Sequence, residues 1–181
     1  YTNGKLCAVA GVTLEDVLTK LREEAVKTNK EWAEKIGIPV SAAITCVKPS
    51  GTVSQLVDSA SGIHARHSKY YLRRIRMNKN DALAKYLCNV IPHLVEDDVT
   101  SSSGVVVTIP QESPEAAILR ENESSFDLLD RTILFNQHWI NPGHRYGDNK
   151  HNVSATISVK EEDWEKLGEL LWRNRKHYTG L

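Results

Sequence analysis

Ala42-Ala43-Ile44-Thr45-Cys46-Val47 runs directly into Lys48-Pro49-Ser50-Gly51-Thr52-Val53-Ser54 and then Gln55-Leu56-Val57. The first six residues are short and almost wholly apolar, which suits a strand buried on both faces. The next seven carry a proline, a glycine and three hydroxyls, the composition of a turn. The last three open a helix. A strand, a glycine-containing turn and a helix start in that order predict α/β layering.

The flanks extend the pattern. Upstream, Thr13 and Asp16 resemble a capping box. Val17, Leu18, Leu21, Ala25, Val26 and Trp32 recur at helical spacing. Gly37 and Pro39 stop that helix near Ile36, giving one long helix over 13–36. Downstream, Tyr70–Met77 mixes β-formers with arginine and reads as a strand. Asp81–Leu87 reads as a short helix with Asn80 as its cap. Val105–Ile109 is a β-branched strand closed by Pro110. Ser124 or Ser125 caps a helix running to about Trp139. Residues 141–151 form a polar loop, Val153–Val159 alternates like a strand, and Glu161 to about His177 is a last helix. That helix should turn Trp164, Leu167, Leu170, Leu171 and Trp172 inward. Alternation of this kind implies an α/β class with a largely parallel sheet or barrel.

Composition excludes several alternatives. Of 181 residues, 40% are hydrophobic and 25% charged, ordinary globular values. The 23 basic and 23 acidic residues cancel, so a large basic face for duplex nucleic acid is not expected. No apolar run reaches the ~18–20 residues of a membrane helix. Cys7, Cys46 and Cys88 are odd in number and lack zinc spacing, which predicts reduced thiols and a cytoplasmic setting. The chain opens on Tyr1 rather than Met, and both ends read as cuts through a longer protein.

The turn at 48–54 carries the clearest chemistry. A helix N-terminus offers unpaired amides and the positive end of the helix dipole. Gly51 lets an anion approach the main chain, Pro49 stiffens the turn, and Ser50, Thr52 and Ser54 add hydroxyl donors. It is not a Walker A loop, because Lys48 precedes the glycine rather than following it. The same residues also suit a plain turn followed by an N-cap, and spacing alone does not choose between them.

Other sites read more blandly. His64 and His67 flank Arg66 with no carboxylate nearby, too few ligands for a metal site. His64, Lys48 and Pro49 are candidates for lining an active site. Arg73, Arg74 and Arg76 alternate faces on a strand and suit surface ion pairs. Trp32, Trp139, Trp164 and Trp172 suit core packing. Asp127, Asp130 and Arg131 suit a solvated helix face.

Thr45-Cys46-Val47-Lys48-Pro49-Ser50-Gly51-Thr52-Val53-Ser54-Gln55, Ser59-Ala60-Ser61-Gly62-Ile63-His64 and Tyr70-Tyr71-Leu72-Arg73-Arg74-Ile75-Arg76 together weigh toward phosphate binding. This combination resembles the adenosylcobalamin-dependent (class II) ribonucleotide reductases, above all the monomeric ribonucleoside-triphosphate reductase type. Asn136-Gln137-His138-Trp139, Val153–Val159 and Lys160–Trp164 agree more loosely, so the resemblance spans roughly residues 25–181.

The resemblance implies a single partial domain over 1–181, supplying C-terminal strands and helices of a ten-stranded α/β barrel. It implies that Ser50, Gly51, Thr52, Val53 and Ser54 hold the phosphates of a ribonucleotide, a diphosphate or triphosphate. It implies adenosylcobalamin as cofactor, a thioredoxin-like dithiol as reductant, and a monomer or weak dimer for the full-length enzyme. The alternative is a non-enzymatic nucleotide- or phosphate-binding domain.

The chain also departs from the family. It has no N-x-C-x-E motif around a radical cysteine, and Cys46 sits in a strand that reads as buried. The radical and redox cysteines are therefore expected outside this segment, and the segment alone is expected to be inactive. Residues 141–151 also lack the shorter, cysteine-containing form of the relatives. A partial barrel leaves strand edges and apolar faces uncovered, which predicts poor solubility for the isolated chain.

Overall fold

The computed structural model describes residues 11–51 and 53–179. Cys7 and Thr52 lie outside the described residues. The chain divides into two units, one made of residues up to 66 and from 116 onward, the other of residues 67–115.

In the first unit, α1 spans Leu14–Ile36. Thr13 and Asp16 form the expected capping box, and Gly37 closes the far end with its amide on the Ala33 carbonyl at 2.9 Å. Leu14, Leu18 and Ala33 are buried, whereas Leu21 and Trp32 face solvent. The short α2 covers Val53–Leu56.

The second unit holds β1 (Tyr70–Asn78), α3 (Ala82–Val90), β2 (Val95–Asp97) and β3 (Gly104–Glu112). Asp81, rather than Asn80, caps α3, its carboxylate accepting from the Leu83 amide at 2.8 Å. The strands lie in the order β1-β3-β2, and both pairings are antiparallel. The expected largely parallel sheet is thus replaced here by a small antiparallel sheet with β3 between β1 and β2. Pro110 does not end β3. It pairs with Leu72 beyond the last residue matched by β2, so the amide it lacks is not needed on that side. Arg74 pairs with Glu96, and Arg76 pairs with Asp98 at 3.3 Å, the surface ion pairs the sequence suggested.

The chain then returns to the first unit, where α4 spans Ser125–Phe135, capped by a reciprocal box between Ser124 and Asp127. It continues through a π-turn at Asn136–Ile140 into one more helical turn, α5, at Asn141–Gly143. The sequence predicts one unbroken helix here. The π-turn shifts the register so that Ile140 is buried and the His138 carbonyl accepts from the Arg22 guanidinium at 3.0 Å. The last helix, α6, spans Trp164–Arg173. It stops before His177 because the Asn174 side chain donates to the Leu170 carbonyl at 3.0 Å.

Two cores flank α4. Leu128 joins Val47, Ile63, Ile140 and Val153 on one side. Leu129 and Ile133 join Leu167 on the other. Only Leu167 of α6 is fully buried. Trp164 and Trp172 are 61% and 70% exposed, contrary to the inward face expected for them. Trp172 instead packs under the Arg175 guanidinium, 4.6 Å from its ring centre. Trp139 is half-buried and donates its Nε1–H to the Cys46 carbonyl at 3.0 Å.

The segments 42–47 and 153–159 form no ladder, which corrects both strand expectations. Their pairing is limited to isolated bridges: Val47 with Val153, parallel, and Ala43 with His144, antiparallel. Loop residues meet further groups of the 42–47 backbone. The Arg145 amide donates to the Ala42 carbonyl at 2.7 Å, and the Ile44 amide donates to the Gly143 carbonyl at 3.2 Å. The His151 ring lies 3.1 Å from the Thr45 carbonyl. Cys46 is exposed, not buried. No helix among the described residues is long and apolar enough to cross a membrane.

Candidate functional site

The loop from Lys48 to Ser59 leaves the core at buried Val47. Lys48, Pro49 and Ser50 are exposed. The Ser50 amide donates to the Ser61 hydroxyl at 3.1 Å, and the Ser50 hydroxyl accepts from the Ser54 amide at 3.2 Å. Gly51 has φ +64. Nothing lies within 4 Å of where its Cβ would stand, so the backbone angle, not space, selects glycine. Val53 points outward while Ser54 is only 5% exposed. The Ser54 hydroxyl has no hydrogen-bond partner among the described residues. Its carbonyl accepts from the Ser59 amide at 2.9 Å, which closes the turn after α2.

The turn at 59–64 forms the back of this loop. Gly62, at φ +59, lies against the Lys48 carbonyl, with 3.6 Å to a Cβ position. The His64 Nδ1 lies 2.8 Å from the Ser61 carbonyl, and its Nε2 accepts from the Thr156 amide at 2.9 Å. His64 is therefore engaged on both ring nitrogens behind the loop. Buried Arg66 pairs with Asp58 at 2.8 Å, and its backbone bridges Leu119 in parallel.

Arg131 differs most from its sequence reading. It is not on a solvated face. It is 9% exposed, pairs with Glu123 at 2.6 Å and donates to the Ile63 carbonyl at 2.8 Å. Asp127 and Asp130 are both exposed, as expected, Asp127 while serving its cap. Of the residues expected to hold phosphate, Ser50, Gly51, Val53 and Ser54 share one loop. The amides of Ser50 and Ser54 are already used inside it. Thr156, Arg66, Arg131 and Glu123 carry no sequence signal for the parts they play, and only the short Ser59–Ser61 spacing hints at Ser61. Among the described residues no group of three or more metal-ligating side chains converges.

No family model matches the chain. A probable adenosylcobalamin-dependent ribonucleoside-triphosphate reductase of Dictyostelium discoideum is 34% identical over 139 residues, covering 77% of this chain and 17% of that protein. The adenosylcobalamin-dependent ribonucleoside-triphosphate reductase of Levilactobacillus brevis is 29% identical over 158 residues, covering 86% of this chain and 20% of that protein. The chain is homologous to one stretch of the adenosylcobalamin-dependent ribonucleoside-triphosphate reductases.

The chain spans about a fifth of the length of these reductases. A crystal structure of a B12-dependent (class II) ribonucleotide reductase matches with a TM-score of 0.66 at 22% identity, over 90% of this chain and 22% of that one. At that identity the likeness speaks for fold. The α/β class stands, and a partial sheet agrees with a chain that covers 22% of that structure.

Proposed function

We propose that this chain is the phosphate-anchoring part of an adenosylcobalamin-dependent ribonucleotide reductase, which converts ribonucleoside di- or triphosphates to 2′-deoxyribonucleotides. The observation that carries the reading is Ser54. A buried hydroxyl left without a partner costs on the order of 1–3 kcal/mol, which a ligand oxygen would relieve. The loop around it is preformed by the Ser50–Ser61 and Ser50–Ser54 bonds, so little ordering remains to be done on binding. Gly51 leaves room for a phosphate to approach the main chain, and exposed Lys48 adds a cation beside it.

In this reading residues 50–54 fix the phosphates and thereby place the ribose for hydrogen abstraction, a proximity effect. Adenosylcobalamin supplies the radical chemistry when bound. Two histidines among the described residues are already engaged. His64 spends both ring nitrogens on backbone groups, and His144 has its Nε2 2.6 Å from the Gly147 carbonyl. In this reading the cofactor's contacts are left to the full-length enzyme, of whose length this chain spans about a fifth. The radical and redox cysteines are expected outside this segment too, because neither Cys46 nor Cys88 stands in an N-x-C-x-E motif. A thioredoxin-like dithiol would recycle them, in a cytoplasmic enzyme that is a monomer or weak dimer.

The test uses the full-length protein that carries this segment, anaerobic with a dithiol. Deoxyribonucleotide should form only with adenosylcobalamin, and Gly51→Val should raise the nucleotide KM by about tenfold or more, as loss of charged hydrogen bonds would. An unchanged KM would reject the loop assignment. Nucleotide binding with no product under any condition would point to a binding module instead.

A further inference from the structure

We propose that His64, held as its neutral Nδ1–H tautomer, is a positioning residue that sets the phosphate loop through Ser61. The inference rests on the reading of residues 50–54 as the phosphate anchor. The Thr156 amide can only donate, so the His64 Nε2 facing it at 2.9 Å must accept. A neutral imidazole then carries its proton on Nδ1, where the Ser61 carbonyl accepts at 2.8 Å. Ser61 divides its two oxygens: the carbonyl takes His64, and the hydroxyl takes the Ser50 amide at 3.1 Å. The Ser50 hydroxyl in turn receives the Ser54 amide at 3.2 Å. A continuous chain of hydrogen bonds thus runs from residue 156 to the loop.

The ring is also held from its own backbone. Arg131 donates to the carbonyl of Ile63, the residue before it, at 2.8 Å. Arg131 is fixed by Glu123 at 2.6 Å, with both side chains buried. Ile63 itself is buried in the core with Val47, the residue that starts the loop. His64 therefore faces the back of the loop and acts on the substrate only through Ser61 and Ser50.

Two substitutions separate the two ring nitrogens. His64→Asn keeps a donor near the Nδ1 position and drops the Thr156 bond. His64→Gln keeps an acceptor near the Nε2 position and drops the Ser61 bond. In the full-length enzyme the His64→Gln variant should raise the nucleotide KM by about tenfold with kcat nearly unchanged, and the His64→Asn variant should lie closer to wild type. Ser61→Ala, which keeps the carbonyl and loses the hydroxyl, should match the His64→Gln variant and serves as the test where that variant does not fold. Long-range proton–nitrogen NMR of the wild-type enzyme should show the Nδ1–H tautomer at His64. An Nε2–H tautomer, or a loss in kcat alone, would overturn the proposal. A Gly51→Val variant of normal affinity would instead reject the loop reading and leave the tautomer to stand on the NMR result.

Discussion

Val47 and Val153 pair in parallel, the Val47 carbonyl accepting from the Ser154 amide at 2.9 Å while the Val47 amide donates to the Asn152 carbonyl at 3.4 Å. Both side chains are buried in one core cluster with Ile63, Leu128 and Ile140. Truncating one of them removes buried methyls and leaves a cavity. Val153→Ala should therefore lower the unfolding free energy by about 2 kcal/mol in urea titrations. A midpoint within error of wild type would mean that this pairing carries none of the unit's stability.

The two helices opened by capping boxes are legible in the sequence because their signals are local. Thr13 with Asp16 and Ser124 with Asp127 each stand three residues apart, and each pair closes a box. β1 and β3 are legible from β-branched and aromatic runs. The segments 42–47 and 153–159 carry the same composition but not their partners. Their paired backbone groups are met by Gly143, Arg145, the Trp139, His151 and His64 rings and each other, and nothing in either segment announces that. β2 is three residues, too short for a period to register. Arg131 looks solvated in sequence because its partners, Glu123 and the Ile63 carbonyl, lie off its helix. Trp164 and Trp172 read as core from their apolarity, but only the row through Leu167 packs. At the loop, residue types point to phosphate chemistry, while the Ser61 and His64 supports need coordinates.

Ser54→Ala separates stability from binding. The Ser54 hydroxyl is buried without a partner among the described residues, so deleting it removes an unmet polar group and leaves its amide on Ser50 intact. Unfolding free energy should stay unchanged or rise slightly. Nucleotide affinity should fall by about tenfold if the hydroxyl donates to a phosphate oxygen. Calorimetric titration with a ribonucleoside triphosphate, beside a urea melt, reads both. A loss of stability with unchanged affinity would assign Ser54 to packing alone.

Arg131→Met should be severe, because it leaves Glu123 buried without its cation. Breaking a buried pair from one side costs about 3–5 kcal/mol. Adding Glu123→Gln to the same chain should recover a large part of that loss, since the stranded charge is then gone. Urea unfolding of the two single variants and the double variant measures the coupling. Strictly additive losses would show that the two side chains do not depend on each other.

Acid should weaken the chain through its two capping boxes. Hydrogen bonds from the Ser124 hydroxyl at 2.6 Å and amide at 2.9 Å hold the Asp127 carboxyl below its ordinary value of 3.8. The Thr13 hydroxyl and amide do the same for Asp16 at 2.9 and 3.1 Å. Because the folded value lies below the unfolded one, folding favours the ionised form. The contribution is complete above the unfolded value and is lost as pH falls from near 3.8 through the lower folded value. Asp127→Asn should therefore lower the urea midpoint at pH 7, and the gap to wild type should close as the acid range is crossed. A gap that stays constant from pH 7 to below the folded value would place its origin in packing rather than in the charge of the cap.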